Sequence, residues 1–264
     1  MKEHFNKTTD TRATAKIQRI HADISGIKTE SYRGYRYFML FVDDHSRMTW
    51  VYFTKTKTAQ ECALVFKQFK TMVELETENK IQFVRGDNGK GEFSPAFQDE
   101  LKNAGIQFEV SPPYKHSMNG VVERAMQAVN KMVRSMMFEA KLPVEMWDYT
   151  VEHRVFVKIR IPTAALPHDP HNEGSNKGPM TPYEAYARKK LDLSNLRVFE
   201  LAAFPVSSKE KHPTSCEPRA LQDWILIGMK GNSIYRALNI KTLEDNFFAF
   251  TMPMHNLLAK YRMY

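Results

Sequence analysis

Three short apolar runs, near residues 17–25, 36–43 and 48–54, open the patterned part of the chain. Gly34 separates the first two from one another, and the polar turn Asp44-His45-Ser46-Arg47 separates the last two. Such spacing predicts consecutive antiparallel strands. From 58 to 77 the period lengthens: Ala59, Cys62, Ala63, Val65, Phe66, Phe69, Met72, Val73 and Leu75 fall at helical spacing. A strand over 81–86, a short helix over 95–104 and a strand over 106–110 come next. Residues 111–119, Ser-Pro-Pro-Tyr-Lys-His-Ser-Met-Asn, begin with two prolines, which excludes regular helix there and predicts a loop. Between Gly120 and about Ala140 the pattern turns amphipathic. Val122, Met126, Val129, Val133 and Met136 or Met137 form one face; Glu123, Gln127, Asn130, Lys131 and Arg134 form the other.

A second helix over 144–158 carries Trp147, Val151, Val155 and Phe156. Residues 162–182, rich in Pro, Asn, Gly and His, predict a flexible insertion, and a short helix follows over 181–189. Three strand-like runs, 223–229, 233–238 and 246–250, predict a small barrel-like tail. The expected organisation is an extended lead-in (1–16), a core (17–160), an insertion with a short helix (161–195) and a small β-rich C-terminal module (196–264). The order βββαβαβα of the core is that of a ribonuclease-H-like fold, an α/β architecture with a mixed five-stranded sheet flanked by helices.

Composition narrows the class. The 264 residues are 42% hydrophobic, with 17 Phe and 11 Tyr, so the chain reads as globular. A formal charge of +8 suits a polyanionic partner. The two cysteines, Cys62 and Cys216, lie far apart and support neither a zinc site nor a disulfide framework. Met1-Lys2-Glu3-His4 does not open a signal peptide, and no run of about 18 apolar residues exists to span a membrane.

Three carboxylates then stand out. Asp23 lies where the first strand-like run meets a turn, Asp87 closes Ile-Gln-Phe-Val-Arg-Gly-Asp (81–87), and Glu123 lies just inside the amphipathic helix. There are 63 residues between the first two and 35 between the second two. If the fold gathers them, they form a set of hard oxygen donors suited to Mg²⁺ or Mn²⁺. Two such ions roughly 4 Å apart activate an attacking oxygen and stabilise a leaving oxygen in phosphodiester chemistry. Taken one at a time, each acid also reads as a turn or surface residue; Asp87-Asn88-Gly89 is a good turn signal by itself. Asp43 reads as structural, Asp44 as a turn residue, and His21 as a packing or hydrogen-bonding residue.

The flanking residues carry a resemblance. Tyr37 to Arg47 and Thr49-Trp50-Val51-Tyr52 are similar to the second and third strands of the integrase core of copia-type LTR retrotransposons. His21-Ala22-Asp23-Ile24-Ser25-Gly26 resembles that family's first acidic motif. Gly86-Asp87-Asn88-Gly89 with Gly91-Glu92-Phe93 resembles its second, and Asn119-Gly120-Val121-Val122-Glu123-Arg124 its third. Pro143 with Trp147, Arg160 to Thr163, Thr181 to Glu184 and Leu196 to Phe199 follow in the family's order, so the resemblance spans roughly residues 5–250.

The resemblance implies a DNA strand transferase using a two-ion Mg²⁺ or Mn²⁺ site on Asp23, Asp87 and Glu123. It implies cleavage near a DNA end, then attack of the new 3′-hydroxyl on target DNA. Position makes Tyr114, Lys115, Asn119, Lys131 and Arg134 the expected DNA contacts. Retrotransposon ends and target DNA are the expected partners, the enzyme acting as a homo-oligomer with no membrane association. An intracellular location is expected, the nucleus for an active enzyme and a cytoplasmic particle otherwise. Lys90 between the glycines, His116-Ser117-Met118 and Glu200-Leu201 depart from the family pattern, and the family's upstream His/Cys zinc segment does not precede the core. Those departures favour a Gag-Pol-type fragment or repurposed copy, and keep open a catalytically inactive, domesticated nucleic-acid-binding module. A generic ribonuclease-H-type nuclease is the third reading.

Overall fold

A strand buried on both faces shows no alternation in its sequence, and Phe38-Met39-Leu40-Phe41-Val42 is such a run. In the computed structural model it is the second strand of a five-stranded sheet. The structure describes residues 12–87, 93–110, 120–166, 179–190, 193, 202–203, 224–230, 234–239, 241–242 and 245–249. The chain divides into two compact units, residues 1–191 and 192–264.

In the first unit, β1 (Arg19–Gly26), β2 (Tyr37–Asp43) and β3 (Thr49–Thr54) form an antiparallel meander. Helix α1 (Ala59–Thr77) leads to β4 (Phe83–Gly86), and α2 (Pro95–Asn103) leads to β5 (Gln107–Val110). Both later strands run parallel to β1, as connections through a helix allow, giving the order β3-β2-β1-β4-β5. Helices α3 (Gly120–Glu139), α4 (Trp147–Lys158) and the short α5 (Pro182–Ala187) complete the unit.

The sheet separates two cores. On one side Ile20, Ala22, Met39 and Phe41 pack against Cys62, Phe66, Phe69 and Val73 of α1 and Phe97 and Leu101 of α2. Phe41 stacks on Phe69 with ring centroids 4.3 Å apart. On the other side Phe38, Leu40 and Val42 pack against Val122, Ala125, Met126, Val129 and Val133 of α3 and Trp147, Val151 and Val155 of α4. The anticipated apolar face of α3 is therefore the one buried. In α1 the tail of the anticipated face is not: Leu75 is 82% exposed. Two residues beyond Val73 is a rotation of about 200°, which carries Leu75 to the far side of the helix.

Local chemistry fixes the ends. Thr58 caps α1 by accepting from the Glu61 amide, and α1 closes on Glu78 in the left-handed region at φ 58°. Thr181 and Glu184 form a reciprocal capping box at the start of α5. Asp43 is fully buried and accepts from the Ile17 and Ser46 amides, each at 2.9 Å, so it is structural.

The second unit holds an antiparallel sheet of order β6-β7-β8-β9: β6 (Ala202–Ala203), β7 (Trp224–Lys230), β8 (Ile234–Asn239) and β9 (Asp245–Ala249). The three longer strands coincide with the three strand-like runs. Two-residue β6 is too short to leave a periodic signal. Among the described residues no helix is long and apolar enough to cross a membrane.

Candidate functional site

The parallel pairing of β1 with β4 sets Arg19 beside Phe83, Ile20 beside Val84 and His21 beside Arg85. Asp23 lies two residues beyond His21, and Asp87 two residues beyond Arg85, so both acids fall just past the last β1–β4 pair. Asp23 also pairs directly with Leu40 of β2. Residues opposite each other in a sheet point to the same face, and Leu40 packs under α3. Asp23 accordingly belongs to the sheet face that α3 covers, the helix whose first turn carries Glu123.

Asp23 and Glu123 are half-buried, and Asp87 is exposed just past the end of β4. The Asp23 carboxylate accepts from the Ile24 amide at 2.9 Å. Gly86, immediately before Asp87, is buried, and a Cβ there would meet Phe108 and Phe93 at 3.3 Å. Gly120 opens α3 with the Arg124 guanidinium folded over it; a Cβ would meet Arg124 Nη1 at 2.8 Å. The exposed Lys131 and Arg134 lie further along α3, and Arg134 Nε donates to the Asn130 carbonyl at 3.2 Å. Tyr114, Lys115 and Asn119 lie outside the described residues, as do Asn88 to Glu92.

Hard carboxylate oxygens fit Mg²⁺ or Mn²⁺ in kind. Among the described residues no group of three or more His, Cys, Asp or Glu side chains stands together as a metal-holding set. The fold therefore puts Asp23, Asp87 and Glu123 on adjoining elements without gathering their side chains into one cluster. Three carboxylates repel one another at close range unless a cation lies between them.

The same face of β1 carries a polar network that the acidic motifs did not reveal. Arg19 and Arg85 share Glu109, with Nε–Oε2 distances of 3.0 and 2.8 Å. Asp44 receives the Ala13 amide at 2.8 Å, Arg47 Nη1 at 2.8 Å and Arg19 Nη1 at 3.4 Å, and meets His21 Nε2 at 3.1 Å. Burial pushes the Asp44 carboxyl up, but the His21 hydrogen bond, the Ala13 amide and the Arg47 charge outweigh it and hold the group well below the usual carboxylate range. Burial lowers the His21 imidazole, so it stays neutral at pH 7 and donates from Nε2 to Asp44. The signal of this network was present in the sequence as Arg19, His21 and Asp23 alternating with Ile20, Ala22 and Ile24.

Residues 13–116 match the family described as integrase core domain. The chain is 32% identical over 206 residues to the retrovirus-related Pol polyprotein from transposon TNT 1-94 of Nicotiana tabacum, covering 78% of this chain and 14% of that protein. It is 28% identical over 201 residues to the corresponding polyprotein from transposon RE2 of Arabidopsis thaliana, covering 76% of this chain and 13% of that one. The chain thus spans about one seventh of the length of these relatives. Among solved structures, a chain of the simian T-cell lymphotropic virus intasome in complex with PP2A regulatory subunit B56 gamma shares the fold. Its TM-score is 0.52 at 13% identity, over 93% of this chain and 81% of that one.

Proposed function

We propose that the chain, whose residues 13–116 match the integrase core domain family, is a metal-dependent polynucleotidyl transferase. Its reaction joins the 3′ ends of retrotransposon DNA to target DNA by phosphodiester strand transfer. What supports this reading is the β1–β4 pairing, with Asp23 and Asp87 each two residues past its last pair and Asp23 on the sheet face that α3 covers. Asp23, Asp87 and Glu123 would hold Mg²⁺ or Mn²⁺, which when bound lowers the pKa of an attacking oxygen and neutralises charge on a leaving one.

The chain's own groups supply the rest. Lys131 and Arg134 offer positive charge along the exposed side of α3 for backbone phosphates. Tyr114 and Lys115 supply a stacking ring and a cation, and Asn119 a polar contact, from the segment before α3. The Arg19, Arg85 and Glu109 network holds β1, β4 and β5 in register beneath the acids. DNA is the partner, with a homo-oligomer as the working form and the nucleus as the site of integration; an inactive chain would stay in a cytoplasmic particle.

A second reading, a catalytically inactive nucleic-acid-binding module, draws support from the ungathered side chains of the three acids. A short end-labelled duplex incubated with the protein in Mg²⁺ or Mn²⁺ separates the readings. Products longer than the substrate mark strand transfer, and products only shorter mark a nuclease. Salt-sensitive binding without either product would establish the inactive module.

A further inference from the structure

On the side of the first unit where α4 lies against β3, three cations make no ion pair with a carboxylate among the described residues. Arg154 and Lys158 stand four residues apart on α4, one turn from each other on the same side of the helix. Arg154 is 9% exposed, and its Nε is buried without a hydrogen-bond partner. Among the described residues Lys158 Nζ is held by a neutral group, the Thr49 hydroxyl, at 2.9 Å. Arg12 donates to the carbonyls of Ala165 and His45, at 2.8 and 2.6 Å. Among the described residues none of the three pairs with a carboxylate. Arg47, whose charge acts on Arg12 and Lys158, is bound to Asp44, and Asp44 is already shared with Arg19 and His21.

An unpaired buried cation is costly, and an apolar side chain of similar size would fill the same space without that cost. The mutual repulsion is visible in the titration of these groups: burial, then the charges of Arg154 and Arg47, bring the Lys158 amine down to about 8. Burial and then the Arg47 charge lower the Arg12 guanidinium, with Asp44 and Asp43 opposing them. A guanidinium, an ammonium and a hydroxyl present donors for several oxygens at once, more than one carboxylate offers.

We propose that Arg154 and Lys158, with the Thr49 hydroxyl, form a binding site for a phosphate-class dianion at the β3 edge of the sheet. It uses none of the three acids and does not depend on strand transfer. The dianion comes either from free phosphate or from the terminal phosphate of a nucleic-acid strand. Its binding supplies the missing counter-charge and ties α4 to β3.

The test is thermal unfolding of the full chain in inorganic phosphate against sodium chloride at matched ionic strength, for wild type, Arg154→Met and Lys158→Met. Wild type shows a saturable rise in Tm with phosphate, and each variant weakens the apparent affinity by about tenfold or more. The variants themselves unfold no earlier than wild type in chloride, since each removes an uncompensated charge. Arg154→Lys, which keeps the charge, covers the case in which a methionine variant fails to fold; it retains a phosphate-dependent rise. Displacement of bound phosphate by a 5′-phosphorylated oligonucleotide, but not by its unphosphorylated twin, assigns the site to nucleic-acid ends; no displacement by either assigns it to free phosphate. An equal phosphate increment in wild type and both methionine variants overturns the proposal. So does the absence of a phosphate effect alongside a monomer–dimer equilibrium that changes on Arg154→Met, which would assign the cations to a partner's carboxylates.

Discussion

Replacing His153 with Phe makes the protein less sensitive to mild acid, by an amount the structure sets. His153 lies on α4, is 3% exposed, and faces the ring of Phe156 at 6.2 Å with an interplanar angle of 28°. Burial, then the charges of Arg154 and Arg160, bring its imidazole from 6.5 down to about 4. Below 6.5 the unfolded chain takes up a proton that the folded chain refuses until the pH nears 4, so folding stability is lost as pH falls through that window. The difference integrates to about 2 kcal/mol lost by pH 5 relative to pH 7, at about 1.4 kcal/mol per pH unit. A phenylalanine has no proton to gain and keeps the ring contact. The assay is urea unfolding of both proteins at the two pH values, with free energies extrapolated to water. The wild type should lose about 2 kcal/mol more than His153→Phe between them. Equal losses in the two proteins would refute a buried, neutral His153.

Three further outcomes follow from the packing and the charge. Phe69 is fully buried against Phe41 and Trp50, so Phe69→Ala should cost about 3–5 kcal/mol in urea unfolding. Gly86→Ala must displace the rings of Phe108 and Phe93, so it should cost about 1–3 kcal/mol and slow strand transfer by shifting Asp87; unchanged activity would separate Gly86 from the site. Lys131→Ala and Arg134→Ala should each reduce the slope of log affinity against log salt for duplex DNA by about 1, whatever the duplex sequence, as read by fluorescence anisotropy.

Much of this molecule is written in its periodicities. The Gly34 and Asp44–Arg47 breaks located the β1–β2–β3 meander because a turn must interrupt an apolar run wherever the chain reverses. Val122, Met126, Val129 and Val133 marked the buried side of α3 because only one helical face can meet a sheet. Leu75 misled because α1 is apolar around more of its circumference than the sheet covers. Asp44 was legible only as a turn residue, since its role depends on Arg19, His21 and Ala13, which pairing of distant segments brings to it. Arg33 is similar: it reaches Asp148 and Glu152 on α4 from the β1–β2 connection, a link that no local pattern encodes. The three acids were legible as types in context, and two of them each fall two residues past the last β1–β4 pair. The distance of Glu123 from those two depends on how α3 is tilted, which residue spacing does not specify.

The convergence of Asp23, Asp87 and Glu123 on one metal site is the central claim, and Mn²⁺ uptake tests it most directly. Paramagnetic resonance would follow the loss of free Mn²⁺ as it is titrated into protein bound to a short duplex, for wild type, Asp23→Asn, Asp87→Asn and Glu123→Gln. The account predicts saturable binding by the wild type and about tenfold or greater weakening in each variant, with DNA affinity retained. Mn²⁺ binding unchanged by all three substitutions would contradict it.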